Sequence, residues 1–323
     1  MTLRKMKANG FVFLAAFTFA QIAFAQQDSA KNLEGVEIHT LAVQGNVYML
    51  VGEGGNITIQ IGNEGVLLVD TQYAVLSAKI LAAINKLSDR SIRYIVNTHF
   101  HTDHTDGNEN LRQAGVNILG GIDPTAPQGA ELIAQRNVLK RMSARTSGKA
   151  GVPDDALPTS IFDDATKFYF NGEAIQIMHI PDAHTDGDAI VFFRRSDVIS
   201  TGDLFTTTDY PVIDLANGGS IQGFIAGVNR ILDLVVTVFG QEGGTMIIPG
   251  HGRICQAADL INYREMITII RDRIQDMINT GLTLEQVKAA KPTFDYDPLY
   301  GSNPSWTPEM FVEAVYKSLR REK

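Results

Sequence analysis

The twelve residues Asn97 to Asn108, NTHFHTDHTDGN, hold the densest group of reactive side chains in the sequence. His99, His101, Asp103 and His104 fall within six positions, and each can donate an electron pair to a divalent cation. In an extended segment alternate residues point the same way, which puts His99, His101 and Asp103 on one face. Four donors this close in sequence cannot all surround one tetrahedral ion, so the coordination has to be completed from elsewhere in the chain. Three further donors stand near the ends of apolar runs: His184, Asp203 in STGDLF, and His251 in MIIPGHG. Five of the seven histidines therefore sit at strand-to-loop junctions beside Gly, Asp or Pro. Any one of them alone reads equally well as a capping or surface residue. Together they read as a metal centre, and imidazole with carboxylate suits zinc.

HFHTDH resembles the H-x-H-x-D-H signature of the metallo-β-lactamase superfamily, and His184, Asp203 and His251 match its remaining ligand positions in order. The likeness runs from about Val36 to about Cys255, and THFHTDHTDGN, GDLF and PGHG are similar to the glyoxalase II branch. The resemblance implies an α/β fold, a four-layer αββα sandwich with metals at one edge of two facing sheets. It also implies that His99, His101 and His184 hold one zinc, that Asp103, His104 and His251 hold a second, and that Asp203 bridges them. Two such ions outweigh the two carboxylates and a hydroxide, which leaves a site that favours an oxyanion. Metal-bound water ionises near neutral pH, so the implied chemistry is hydrolysis of an ester, thioester, lactone, amide or β-lactam. The leaving group would be protonated by that water, or by Asp103 if it is freed from the metal.

Two other classes share these residues. Persulfide dioxygenases of the superfamily use the signature with a single iron on two His and one carboxylate, and a metal-binding protein without catalysis needs only the ligands. Manganese is a further candidate ion. Metallo-β-lactamases proper usually carry Cys or Ser where Asp203 stands, so the superfamily does not name the substrate. The tail has no basic cluster for a thiol peptide, which argues against a literal glyoxalase II. A serine nucleophile is not indicated, since no G-x-S-x-G motif is present.

The elements that must position these groups are legible as patterns. Val47–Val51, Ile57–Ile61 and Val66–Val69 read as neighbouring antiparallel strands, the last ending in Asp70. Asp70 reads either as a carboxylate that orients a metal-bound histidine or as a turn cap. Ala74–Leu87 reads as an amphipathic helix, and Ile92–Val96 as the buried strand that delivers His99. Asp106 and Asn108 are candidate caps for a short helix. Gly115–Gly121 reads as a strand, Pro127–Ser147 as a helix, and Ser147–Pro158 as a loop able to rim a site. Phe168–Phe170 and Ala174–Ile180, joined by Asn171-Gly172, form a hairpin with a type I′ turn. His39 and His179 read as ordinary strand residues. Ser220–Val236 is an amphipathic helix and Thr245–Ile248 the strand before His251. Ala257–Asn279, a capping box at Thr283–Gln286 and a helix opened by Pro308 make a helical tail, residues 256–323, packed on the domain spanning 26–255. Its aromatics Tyr296, Tyr300 and Trp306 read as packing staples or as a pocket wall.

Composition sets the outer limits. A content of 44% hydrophobic residues over 323 positions is ample for a packed core. Arg4, Lys5 and Lys7, the apolar run Phe11–Ala20 and Ala23-Phe24-Ala25 order a signal peptide over residues 1–25, with a mature, periplasmic or secreted protein beginning at Gln26. Without it the chain keeps 25 Lys plus Arg against 36 Asp plus Glu, a formal charge of −11. That surface disfavours nucleic acid and leaves a small-molecule substrate as the expected partner, with no membrane association after cleavage. The lone Cys255 has no internal disulfide partner and reads as a buried apolar residue. The oligomeric state is not legible.

Overall fold

The computed structural model describes residues 33, 35–117, 128–144, 152–236 and 244–321. The expected signal peptide, residues 1–25, lies outside them. Strands β1 (His39–Gln44), β2 (Val47–Val51), β3 (Ile57–Gly62), β4 (Gly65–Val69), β5 (Ile92–Val96), β6 (Glu131–Gln135) and β7 (Ser160–Phe162) form one sheet in that order. Pairing is antiparallel from β1 to β4 and parallel from β4 to β7. Strands β8 (Ala165–Phe170), β9 (Glu173–Ile180), β10 (Asp188–Phe193), β11 (Val198–Ser200) and β12 (Met246–Ile248) form the second, in the order β12-β11-β10-β9-β8. The helices are α1 (Ser77–Leu87), α2 (Thr102–Thr105), α3 (Asn108–Gln113), α4 (Arg136–Ser143), α5 (Ile221–Leu232), α6 (Ala257–Asn279), α7 (Leu284–Ala289), α8 (Asp297–Tyr300) and α9 (Pro308–Arg321).

The period-2 geometry of the strands sorts the apolar residues into layers. Leu67, Val69, Ile175, Ile177, Val191 and Ile248 meet between the two sheets. Their neighbours Val66 and Leu68 turn instead to α1 and α3, against Ile80, Ile84 and Leu111. On the far side Met178, Ile190, Ile199 and Ile247 pack on α5, α6 and α9 through Phe224, Ile267 and Val315. Three apolar interfaces between four layers make the αββα sandwich, and the tail helices complete its outermost layer. Asn171 and Gly172 both take positive φ, 52° and 76°, as the type I′ turn requires. Ser220 caps α5, and the capping box at Thr283 and Gln286 forms as expected.

The helix expected over 127–147 is a strand followed by a helix. Ile133 faces the space between the sheets, while Leu132 faces the α1 side. A strand buried on both faces is apolar throughout, loses its alternation, and is easily read as part of a helix. Among the described residues of that span, 128–144, only α4 is helical, burying Val138 and Met142 one turn apart. Gly115–Asn117 do not form a strand, although Val116 N donates to Ile92 O, and residues 118–127 lie outside the described set. The same holds for residues 145–151, which take in the end of the expected helix and the start of the expected rim loop.

Candidate metal centre

The parallel pairs β4–β5 and β11–β12 end at one edge of the sandwich, and the β9–β10 turn opens at that edge as well. Strand β5 runs into the loop of His99, His101, Asp103 and His104, β11 into Asp203, and β12 into His251, while the turn between β9 and β10 carries His184. The HTDH loop is closed on itself by a reciprocal amide pair, Asn97 Nδ2 to Asn108 Oδ1 at 3.0 Å and Asn108 Nδ2 to Asn97 Oδ1 at 2.8 Å. Asn108 therefore ties the loop and Gly107 precedes α3 as its cap; Asp106 reaches away to accept from Ala74 N. The β2–β3 turn lies against the loop, and a Cβ on Gly55 would stand 2.2 Å from His104 Cε1, so only glycine fits there.

All seven donors read from the sequence converge. His99, His101, His184 and Asp203 form one group and Asp103, His104 and His251 another, the donor atoms within each lying within 4.8 Å of one another. His101 Nδ1 and His184 Nε2 are 2.8 Å apart. Asp103 Oδ2 stands 3.2 Å from His251 Nε2 and 3.6 Å from His104 Nε2. Asp203 faces both groups with different atoms. Its Oδ2 lies 3.8 Å from His99 Nε2 and 3.6 Å from His184 Nε2. Its Oδ1 lies 3.1 Å from His104 Nε2 and 3.5 Å from His251 Nε2. Despite that proximity, Asp203 Oδ1 and His99 Nε2 are buried without an aligned hydrogen bond. Buried donor atoms left without a bond in this way, beside rings crowded nitrogen to nitrogen, fit divalent ions better than a satisfied hydrogen-bonded network.

Four of the five imidazoles are held from behind. His104 Nδ1 lies 2.8 Å from Asp70 Oδ2, which also accepts from Thr98 Oγ1 at 2.7 Å, while Asp70 Oδ1 accepts from Thr98 N at 2.8 Å. Asp70 thus orients His104 and braces the loop after β5 through Thr98, and its side-chain bonds all cross to that loop, so the orienting reading fits and the turn-cap reading does not. Thr98 Oγ1 is in turn 3.0 Å from His99 Nδ1. His184 Nδ1 donates to Val212 O at 2.7 Å, and His101 Nε2 lies 3.0 Å from Asp214 Oδ2. Asp214 was not anticipated from the sequence. Its one local signal, an Asp three residues before Asn217, reads as the cap it also is. Buried Asp188 was likewise missed; it accepts from Thr185 N and Oγ1 and fixes the turn that carries His184. His179 and His39 stay out of the centre, as expected: His179 pairs with Asp186 O and His39 lies exposed on β1.

The electrostatics divide the metal-free rings. Burial, aided by the charge on neighbouring rings, holds His99 well below its ordinary value and His184 down at about 4. Burial also works against charge on His104 and His251, but the carboxylates facing them prevail: His104 is raised well above its ordinary value and His251 to about 10. Burial pushes the other way on the partner carboxylates, yet these rings bring Asp103 down to about 2 and Asp203 well below the usual range. Cys255 is buried, and burial with Asp259 nearby lifts its thiol to about 12, so it is neither a thiolate ligand nor a nucleophile near neutral pH.

Comparison with known proteins agrees with this architecture. The family model of the metallo-beta-lactamase superfamily matches residues 42–251. A linear primary-alkylsulfatase from Pseudomonas sp. (strain ATCC 19151) is 26% identical over 272 residues, covering 73% of this chain and 50% of its own length. The chain therefore spans about half the length of that relative. Among solved structures, the stereoselective inverting sec-alkylsulfatase Pisa1 from Pseudomonas sp. superposes with a TM-score of 0.61 at 15% identity, covering 87% of this chain and 50% of that one. A metallo-beta-lactamase from Pontibacter korlensis superposes with a TM-score of 0.54 at 16% identity, covering 72% of this chain and 99% of that one. With its two sheets, its convergent His and Asp cluster and a family match from residue 42 to residue 251, this chain belongs to the metallo-beta-lactamase superfamily.

Proposed function

We propose that the protein is a metal-dependent hydrolase of small molecules with a dinuclear centre, most simply of zinc. The observation that carries the reading is Asp203, whose two carboxylate oxygens face two separate groups of histidines. His99, His101 and His184 would hold one ion, Asp103, His104 and His251 the other, and Asp203 both. When bound, such a pair supplies an acidified water and a Lewis acid for the scissile bond. The chain's own part is to fix the donors. Asp70, Thr98, Asp214 and Val212 O occupy the far nitrogens of four rings, leaving the near nitrogens of His99, His104 and His184 and Nδ1 of His101 to face the ions. Asp103, released from an ion, would take the proton given up by the attacking water and pass it to the leaving group.

The bond cut is an ester, thioester, lactone or amide carbonyl on the sequence reading. A second reading, a sulfate ester, has a specific support: the likeness to alkylsulfatases covers 73% of the sequence and 87% of the fold, against 72% for the β-lactamase. Metal-loaded and chelator-treated protein should be assayed against ester, lactone, thioester, β-lactam and alkyl sulfate panels. Turnover of a carbonyl or sulfate ester that vanishes on chelation supports the proposal. One equivalent of iron per chain, with oxygen consumed on adding a persulfide, would replace it by the dioxygenase reading. We also propose export, carried by residues 1–25, so that intact-mass analysis of the exported protein should find Gln26 first. Among the described residues no helix is long and apolar enough to cross a membrane.

A further inference from the structure

We infer that residues Thr206–Asp214 act as a strap that sets the metal centre, and that the helical tail holds this strap through Tyr210. The inference rests on the metal-centre reading above and adds a role for residues that touch no donor atom. On its inner side the strap reaches three of the seven donors, from both groups. Thr206 pairs with His251 as an isolated bridge, and Thr207 N donates to His251 O at 3.1 Å. Val212 O accepts from His184 Nδ1, Asp214 N donates to His184 O at 3.0 Å, and Asp214 Oδ2 meets His101 Nε2. The fit is close: a Cβ on Gly252, beside His251, would fall 1.9 Å from Thr207 Oγ1.

The outer side of the strap is fastened to the tail. Tyr210 is fully buried, and its ring stacks on Phe311 of α9 with centroids 4.8 Å apart and planes 9° from parallel. Its hydroxyl donates to Asp297 Oδ1 at 2.8 Å and lies 3.2 Å from Thr293 O, and its backbone N donates to Tyr300 O at 3.2 Å. Between these fastenings Val212 is partly exposed, so the carbonyl that holds His184 is not pinned by its own side chain. Its position is inherited from Tyr210 two residues earlier and from buried Ile213 one residue later. Loosening Tyr210 should therefore reach His184, His101 and His251 together. Outer partners of metal ligands commonly change metal affinity about 10- to 100-fold, which sets the scale expected here. The tail is on this account a positioning element for the centre as well as packing.

The test is zinc chloride titrated against a competing chelator, with melting temperatures measured on the same samples. The set comprises wild type, Tyr210→Phe, Asp297→Ala, Asp297→Asn and Lys317→Ala. Tyr210→Phe keeps the ring stack and removes only the hydroxyl, so the fold should survive. We expect Tyr210→Phe and Asp297→Ala to weaken zinc binding by about tenfold or more in protein that is still folded. Asp297→Asn retains a carbonyl acceptor and should recover most of that loss. Lys317→Ala, which removes an exposed pair with Glu313 on α9, should match wild type. A purely structural tyrosine would lower the melting temperature and leave the affinity of the folded fraction unchanged, which would overturn the inference. Wild type that binds no zinc or other divalent ion would instead overturn the metal-centre reading on which it rests.

Discussion

Asp70→Asn is the sharpest single substitution for asking what orients the imidazoles. Asp70 sits at φ 65°, a conformation Asn tolerates better than most residues, so the backbone and side-chain volume should persist. The hydrogen bonds should not. Thr98 N can only donate, and it keeps the carbonyl oxygen of the new amide in the place of Oδ1. The amide nitrogen then falls where Oδ2 accepted from both His104 Nδ1 and Thr98 Oγ1. A donor at that point turns His104 Nδ1 into an acceptor and drives the ring's proton to Nε2, the nitrogen that faces Asp103, Asp203 and His251. It also frees the Thr98 hydroxyl to donate to His99 Nδ1, which loosens the tautomer of a second ring in the other group. One substitution thus disturbs a donor in each group. The expected loss is about 10- to 100-fold in metal affinity, or about 1.4 to 2.8 kcal/mol. Chelator competition on folded protein gives that number directly, and thermal unfolding of the metal-free variant should show a loss of up to about 3–5 kcal/mol, the scale for removing one partner of a buried charge pair. Wild-type affinity in Asp70→Asn would refute the reasoning.

Three further outcomes follow from the same geometry. Asp214→Asn should weaken the ion held by His99, His101 and His184 by about tenfold while leaving the other in place, seen as a split between two zinc affinities in place of a uniform loss. Zinc loading at pH 7 should release about two protons, since His104 and His251 both hold protons above neutrality in the metal-free site and must lose them to bind; an indicator dye in weak buffer reads this, and no release would contradict the assignment. Cys255→Ala should leave activity and metal content unchanged and cost only a small core loss, because the thiol is buried and protonated.

Residue type and spacing made the donors legible because metal ligation is a demand on chemistry, and few other arrangements place His99, His101, Asp103 and His104 together. Strands and helices with one buried face were equally readable: α6 spans Ala257–Asn279 as expected, and the β8–β9 turn follows from Asn171-Gly172. Strand β6 was not readable, since burial on both faces erases the alternation that marks a strand. Asp214 escaped for a different reason. Its role depends on a loop 113 residues away in sequence, and nothing local distinguishes an Asp that orients a histidine from one that caps a turn. Asp70 shows the converse, because both readings were open from sequence and the structure sends its side chain across to Thr98 and His104 and not to its own turn.

The central claim is that Asp203 joins two metal ions. Elemental analysis of the purified protein beside Asp203→Ala tests it most directly. The wild type should carry about two zinc equivalents per chain, because seven donors exceed the three that one tetrahedral zinc with a water requires. Asp203→Ala should fall to about one or fewer while the metal-free variant still unfolds cooperatively, since Asp203 packs among the donor side chains and belongs to none of the apolar clusters. A variant that keeps two equivalents and normal turnover would contradict the dinuclear account.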